Sequence, residues 1–497
     1  MQDESLPKVH SATKHMAHLA HCDCACVLEP PLGPVAPSLS GSWTTDTRAV
    51  SVDLKQEWRA YFNPRGPVGV AVLNRAAQRL LSHFEPSVVP EHLARRLPDI
   101  PELALQQVVT DLAAIGLIQP LEGQAPAPPS STTLSAWLHV TEACNLACPY
   151  CYVSKSPRAM SPELARHAAT RLVEMARRYG YRKLRLKYAG GEPTLQFGLV
   201  REVHDQASYQ AEQASIELEE VLLTNGASVA DDVLDTIAAA GMRLMVSLDG
   251  GPAAHDRLRM RHDGNGTFGA VLSTIDRALA RGLVPDISTT ITSLNLDGVD
   301  GAGRVALERN LPFNLNFYRE CAPAGNMGRR EMVTLAPPPG RLVAVILDLF
   351  DMVRQFPAYP HPLSGILDRA RLDLPHDAAC SAGSDYLVVD VRGAIAGCQM
   401  LLDSPWANLA DEDPLGAVRE QGQIIFLQPG EGSDCARCTW RRACGGGCPL
   451  LRGSDLHDRY CAVYRALFPE LPAPPPCRHN PAELAAVCAA ARWIEPR

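Results

Sequence analysis

From residue 135 onward the apolar positions settle into a regular rhythm. Short runs of strand length alternate with longer stretches whose apolar residues recur at three- and four-residue intervals. The strand candidates are SAWLHV (135–140), LRLKYAG (184–190), LEEVLLTNG (218–226), RLMVSLDG (243–250), VPDISTTIT (284–292) and FNLNFYRE (313–320). A representative helical stretch is SPELARHAATRLVEMARRYG (161–180). There Ser161 is placed to cap, Pro162 suits the first turn, and Gly180 is a natural stop. Leu164, Ala168, Leu172 and Met175 form its inner stripe. Six strands alternating with helices predict an α/β fold with a parallel sheet and right-handed crossovers. Ligands in such sheets bind at the C-terminal strand ends. TEACNLACPYCY, GGEP, TNG and SLDG follow the first four strands in turn, which predicts one active site at one mouth.

The flanks read differently. Residues 1–45 mix Pro, Ser, Gly and His without periodicity and are expected to be a flexible tail, carrying Cys22, Cys24 and Cys26 in HCDCACV. Residues 46–120 predict a small separate unit. WRAYFNPRGPVGVAVLN reads as two strands around a turn, followed by the helical patterns RAAQRLLSHF, PEHLARRL and PELALQQVVTDLAAIG. Leu105, Val108, Leu112 and Ile115 repeat at helical spacing before Gly116. This is a winged-helix-like pattern, but its third helix has no Lys or Arg, so the phosphate contacts of a DNA reader are missing. Residues 121–133 are a Pro/Ser/Ala linker, 134–335 the barrel, 336–374 a connecting helical segment, and 375–497 a Gly-, Pro- and Cys-rich domain with a tail.

Composition narrows the class. A hydrophobic fraction of 46% and a charged fraction of 21% are ordinary for a globular protein, and a net charge of -8 offers no basis for nucleic-acid or anionic-membrane binding. No signal sequence or membrane-length apolar run is evident, so a cytoplasmic location is expected. Sixteen clustered cysteines point to metal or redox chemistry rather than a secreted disulfide scaffold.

CNLACPYCY (144–152) holds three cysteines as C-x3-C-x2-C. A zinc site would want four ligands, and His139 is a poor fourth because it sits in the strand. An incompletely ligated cubane explains three thiolates better, since one iron stays open for a small molecule. Cys144, Cys148, Tyr150 and Cys151 resemble the radical S-adenosylmethionine (SAM) enzymes, whose loop has this spacing and an aromatic before the last cysteine. The resemblance implies a partial (β/α)6 radical SAM barrel, a [4Fe–4S] cluster and SAM bound at its open iron. It also implies that Gly190, Gly191 and Glu192 bond the SAM amino group. Asn225, Ser247, Asp249 and Arg259 match positions toward ribose or carboxylate.

From Cys380 the pattern continues through Gly393, Cys398, Cys435, Cys438, Cys444, Cys448 and Cys461. It resembles the SPASM extension of peptide- and protein-modifying radical SAM enzymes. That implies two auxiliary [4Fe–4S] clusters: an inner one on Cys380, Cys398 and Cys448, and an outer one on Cys435, Cys438, Cys444 and Cys461. Gly445, Gly446 and Gly447 would let the backbone wrap the inorganic core. An eighth cysteine found in some relatives is absent from residues 371–379, so the inner cluster has an open iron or borrows His376, Asp377 or Cys321. Cys477 and Cys488 fall beyond the pattern.

The layout is shared by anaerobic sulfatase maturases, in which an Asp follows the second SPASM cysteine as candidate base. Gln399 stands there in this chain, and an amide is no base. The front unit resembles the PqqD-like module that binds leader peptides by strand addition. The expectation is a maturase of a ribosomally made peptide or protein that forms a thioether or carbon–carbon crosslink or an oxidised residue. Its reductant would be a low-potential donor such as flavodoxin or ferredoxin. The alternatives are formylglycine formation, small-molecule dehydrogenation, and a non-catalytic zinc-stabilised peptide adaptor.

Overall fold

The structure is a computed structural model. It describes residues 9–11, 41–46, 49–53, 58–63, 70–98, 100–121, 132–320, 335–356, 359, 367–368, 376–425, 433–438, 440–452 and 458–468. Cys22, Cys24, Cys26, Cys321, Cys477 and Cys488 lie outside the described residues.

The N-terminal unit has a core of its own. Strands β1 (Val9–Ser11), β3 (Val50–Asp53), β4 (Arg59–Phe62) and β5 (Val70–Leu73) form an antiparallel sheet in the order β1-β5-β4-β3. β2 (Trp43–Thr45) pairs with β6 (Ile118–Pro120). Helix α1 (Arg75–Ser82) is capped by Asn74, whose side chain accepts from Ala77 N at 3.0 Å. Short α2 (Leu93–Arg96) and longer α3 (Glu102–Ala114) follow. Leu73, Leu80, Phe84, Leu93, Leu105 and Leu112 pack together with Trp43. Gly116, at φ +73°, turns the chain out of α3. The stretch expected to be a tail, 1–45, therefore contributes two strands to this unit. Three residues are too few to show an alternation, so only their partners reveal them.

The central sheet matches the expected alternation. Strands β7 (Thr133–Thr141), β8 (Lys183–Gly190), β9 (Glu217–Thr224), β10 (Arg243–Ser247), β11 (Asp286–Ile291) and β12 (Phe313–Phe317) lie in sequence order, each parallel to the next. Helices α4 (Pro162–Arg178), α5 (Phe197–Ala214), α6 (Asp231–Ala239), α7 (Pro252–Leu258), α8 (Phe268–Leu279) and α9 (Asp300–Glu308) fall between them. Ser161 caps α4 by accepting from Leu164 N at 3.2 Å. Leu184, Leu186 and Tyr188 of β8 pack on the helix side, so the intervening Arg185 and Lys187 face the concave side. There an ion chain runs across the N-terminal strand ends. Arg185 meets Glu219 at 2.8 Å, Glu219 meets Arg243 at 3.1 Å, and Arg243 meets Asp286. Charge thus fills the end opposite the mouth.

After α10 (Pro339–Arg354) the chain returns to the sheet. β13 (Tyr386–Val389) runs parallel to β7, and β14 (Ala394–Ala396) and β15 (Ala407–Asn408) add antiparallel strands. The last third, expected to fold around its ligands, therefore begins as a continuation of the central sheet. Helices α11 (Pro414–Ile425), α12 (Asp434–Arg437), α13 (Arg441–Cys444) and α14 (Cys461–Leu467) follow. The segment into α14 is anchored on β12: Phe317 lies 5.0 Å from the Tyr460 ring and stacks on Tyr464 at 5.9 Å. Among the described residues no helix is long and apolar enough to cross a membrane.

Candidate active site at the strand mouth

The loop after β7 is strapped down by the segment that follows α7. Leu146 bridges to Arg261, Ala147 N donates to Met260 O at 2.8 Å, and His262 Nε2 lies 3.0 Å from Cys144 O. Lys155 Nζ donates to Leu146 O from the other side. So held, Cys144, Cys148 and Cys151 line one cavity. Burial pushes the Cys144 thiol up and the Cys148 thiol up to about 12. Those two thiols therefore hold protons that a binding metal must displace. Among the described residues no three His, Cys, Asp or Glu side chains converge as ligands of a single ion would. The three thiols instead surround shared space, a donor set that fits a polynuclear cluster with one position left for a ligand.

The loop after β8 packs directly on this one. Gly191 N donates to Thr141 O and Glu192 N to Ala143 O, both at 2.8 Å. A Cβ on Gly190, at φ +135°, would fall 2.1 Å from Thr141 O, and one on Gly191 would fall 2.1 Å from Ala143 O. The paired glycines thus serve the contact between two strand ends. Both glycines also line the cavity.

Glu192 is 1% exposed, and burial raises its pKa against the pull of its hydrogen bonds. Oε1 accepts from Thr194 N at 3.1 Å, Thr194 Oγ1 at 2.6 Å and Thr224 Oγ1 at 2.8 Å. Oε2 accepts from Asn225 N at 2.7 Å. A carboxylate has about four acceptor sites. Among the described residues Oε1 is saturated while Oε2 accepts from Asn225 N alone, and Glu192 lines the cavity.

Asp249, after β10, joins the other side of the site. It is fully buried, and its Oδ2 accepts from Arg259 Nε at 2.7 Å and from the Tyr150 hydroxyl. Oδ1 accepts from Thr290 N at 2.9 Å, and Asn295 Nδ2 donates to its backbone O at 2.7 Å. The Arg259 guanidinium also lies over the Tyr150 ring, 5.5 Å from the centroid. Burial opposes the Arg259 charge, yet the adjacent Asp249 carboxylate raises its pKa overall. Burial likewise drives the Tyr150 hydroxyl well up, so it stays a donor. Ser247 and Arg259 line the cavity, whereas Asp249 is not among its lining residues. Asn225 lines the cavity too: Nδ2 donates to Asn145 at 2.8 Å and to Cys144 Sγ at 3.8 Å, and Oδ1 accepts from Ala227 N at 2.9 Å.

Trp137, Tyr152, Lys155, Thr290, Asn316 and Arg319 also line the cavity and were not singled out from the sequence. For Trp137 the signal was available, because alternation along β7 puts it on the concave face. Asn316 and Thr290 needed the sheet order. Gln399 reaches the same cavity, with its Oε1 accepting from the buried Tyr386 hydroxyl at 2.8 Å. His139 is not among the lining residues: it meets the Tyr152 ring edge-on at 6.2 Å, and burial lowers its pKa to about 4.

The second cysteine field divides in two. Cys435, Cys438, Cys444 and Cys461 line one cavity of about 560 Å³ with Asp458 and Trp440. Cys380 and Cys398 share a separate apolar cluster with Trp137 and Tyr386, beside the first cavity. Cys448 is buried, and its N–H donates to Asp458 Oδ2 at 2.6 Å. Gly445, Gly446 and Gly447 all have positive φ. A Cβ on Gly445 would fall 2.2 Å from Ala379 N, next to Cys380, and one on Gly447 would fall 2.4 Å from Asp458 Cβ. These glycines draw the Cys444–Cys448 turn against the segment before Cys380. His376 N donates to Arg442 O at 2.9 Å, and Asp377 pairs with Arg442 at 3.3 Å. The ten described cysteines are all free thiols.

Residues 138–306 match the profile of the Radical SAM superfamily. The serine-type anaerobic sulfatase-maturating enzyme of Klebsiella aerogenes is 25% identical over 356 residues, which are 67% of this chain and 83% of that protein. The PqqA peptide cyclase of Xanthomonas oryzae pv. oryzae is 29% identical over 337 residues, 65% of this chain and 83% of its own. The solved structure of anSMEcpe with bound AdoMet and Cp18Cys peptide is 19% identical, with a TM-score of 0.55, and covers 68% of this chain and 97% of that chain. At that identity the likeness speaks to fold.

Proposed function

We propose that this chain, which carries a radical SAM domain and whose homologues are enzymes that modify peptides or proteins, is itself a peptide or protein maturase. It would abstract hydrogen from a substrate side chain and leave a crosslink or an oxidised residue. The observation that carries the reading is the shared cavity, lined by three half-buried thiols and by the buried Glu192 carboxylate, whose Oε2 accepts from Asn225 N alone among the described residues. A [4Fe–4S] cluster on Cys144, Cys148 and Cys151 with SAM would supply reductive cleavage to a 5′-deoxyadenosyl radical.

The protein's own part is to hold and exclude. Glu192 would accept the SAM ammonium through Oε2. Arg259, fixed by Asp249, would face its carboxylate, and Ser247 its ribose. Trp137, Tyr152 and Phe317 would keep water from the reacting carbon. Cys435, Cys438, Cys444 and Cys461 would hold one auxiliary [4Fe–4S] cluster, and Cys380, Cys398 and Cys448 the other. The N-terminal unit would grip a leader segment, and a flavodoxin- or ferredoxin-type donor would deliver electrons.

Anaerobic reconstitution tests this. About twelve irons are expected if all three clusters are [4Fe–4S], with 5′-deoxyadenosine formed from SAM under reduction. Cys148→Ala should lose SAM cleavage and about four irons while keeping the rest. A colourless zinc protein that leaves SAM intact would overturn the reading and favour the adaptor.

Formylglycine formation is the second reading, supported by the Klebsiella relative. Gln399 at the cavity counts against it, because an amide cannot take the proton that aldehyde formation releases. Mass spectrometry of a co-expressed peptide separates the two. A crosslink removes two hydrogens and forms no carbonyl; formylglycine from Cys replaces the sulfur by oxygen, and formylglycine from Ser also removes two hydrogens but gives an aldehyde that a hydrazine reagent captures.

A further inference from the structure

Thr267 stands at the N-cap of α8 but does not cap it. A threonine there ordinarily accepts from an amide of the first turn. Asp256, from α7, takes that part instead: its Oδ1 accepts from Thr267 N at 2.7 Å and from Phe268 N at 2.8 Å. A Cβ on Gly266 would fall 2.2 Å from the Asp256 carboxylate, so the approach to α8 is packed directly on α7.

The Thr267 hydroxyl is thereby released to join a different chain of hydrogen bonds. Asp249 N donates to His255 Nδ1 at 3.2 Å, which leaves the ring proton on Nε2. Nε2 donates to Thr267 Oγ1 at 3.1 Å, and Thr267 Oγ1 donates to Arg259 O at 2.6 Å. A protonated ring could not accept from Asp249 N, and burial keeps it neutral by lowering its pKa to about 4. Asp249, His255, Arg259 and Thr267 are all buried.

The chain joins the first residue of loop 259–267 to its last. At the start of that loop Arg259 reaches the cavity. The residues after it strap down the cysteine loop: Met260 O accepts from Ala147 N, Arg261 bridges to Leu146, and His262 lies on Cys144 O. Neither His255 nor Thr267 is among the cavity's lining residues.

We infer that His255 and Thr267 are positioning residues whose hydrogen bonds latch loop 259–267 shut, and that the latched loop holds the cysteine loop and the Arg259 guanidinium in one fixed relation. The latch belongs to the protein alone; its consequence for cofactor binding rests on the maturase reading.

Thr267→Val keeps the shape of the side chain and removes both of its bonds, leaving a buried N–H and a buried C=O without these partners. Hydrogen exchange is followed by mass spectrometry in the metal-free, full-length protein. Opening of 144–148 and 259–262 should become at least about tenfold more frequent, with β8 and β9 unchanged. Thr267→Ser retains the hydroxyl and should restore the wild-type rates. Thr274→Val alters another buried threonine of α8, one that accepts from Arg277 Nη2 at 3.1 Å, and should leave both segments as they are. No acceleration in Thr267→Val, equal acceleration across the sheet, no rescue by serine, or the same effect from Thr274→Val would each refute the latch. In the reconstituted protein Thr267→Val should also weaken SAM binding about tenfold by equilibrium dialysis, with recovery in Thr267→Ser. If wild type binds no SAM while the exchange result holds, the maturase reading falls and the latch stands. If SAM binds wild type and Thr267→Val equally, the loop does not position Arg259 and the inference falls alone.

Discussion

Asp249→Asn is the substitution that most directly tests how the mouth is organised. Three donors converge on the two carboxylate oxygens: Arg259 Nε at 2.7 Å, Thr290 N at 2.9 Å and the Tyr150 hydroxyl. Asparagine keeps one acceptor and turns an NH2 group toward at least one of these donors. It also removes the charge that compensates Arg259, whose side chain is only 11% exposed. Removing one partner of a buried ion pair costs about 3–5 kcal/mol, because the other charge stays desolvated. That corresponds to a loss of about two to four powers of ten in the folding equilibrium of the domain. Urea unfolding of the metal-free protein should therefore show a lower midpoint at an unchanged slope. Replacing both charges, Asp249→Leu/Arg259→Leu, should recover more than half of the loss, since no orphan charge remains. In the reconstituted protein Asp249→Asn should also weaken SAM binding, measured by equilibrium dialysis, because Tyr150 and Arg259 lose their common anchor. A single variant within about 1 kcal/mol of wild type, or a double variant no better than the single, would refute the assignment of Asp249 as a charge-compensating hub.

Other expectations are as direct. Gly191→Ala would place a Cβ 2.1 Å from Ala143 O, so the two strand-end loops must part, and SAM binding should be lost although Glu192 is intact. Normal binding by that variant would show that the loops yield easily. His204 Nδ1 lies 2.7 Å from Glu220 Oε2, and that hydrogen bond raises the His204 pKa above 6.5. The stabilisation is full below the unfolded value and is lost as pH rises through the raised folded value. His204→Gln should therefore cost more stability near about pH 6 than near about pH 9, and a pH-independent difference would contradict the pairing. Iron chelation should sharply accelerate hydrogen exchange in 433–452, where the short helices α12 and α13 sit among four of the cysteines, and much less in β7–β12. Equal acceleration in both would show that the clusters support the barrel as well.

Much of the central architecture was legible because its signals are local. Six strands announced themselves by apolar runs between helices with caps such as Ser161 and stops such as Gly180. The ends of the first four strands were marked by a polar or glycine-rich motif. The β1 and β2 strands were not legible, because three residues carry no period. The extension of the sheet by β13 was missed for a related reason: its run is short and lies among the Gly, Pro and Cys residues around it.

Side-chain partnership was the other hidden layer. Sequence position grouped Asp249 and Asn225 with the cofactor contacts. Folding paired Asp249 with Arg259 and Tyr150, and brought the Asn225 amide against Asn145, Ala227 and Cys144. Spacing along one chain reports which donors exist, because thiolate number and interval are covalent facts. Which lone pairs remain free depends on neighbours brought from other strands. So the sequence by itself determined the α/β alternation, the mouth and the three-thiol loop. Only the tertiary structure decided that Glu192 gathers donors from Thr194, Thr224 and Asn225, that Asp249 pairs with Arg259, and that Val9–Ser11 complete the sheet of the N-terminal unit.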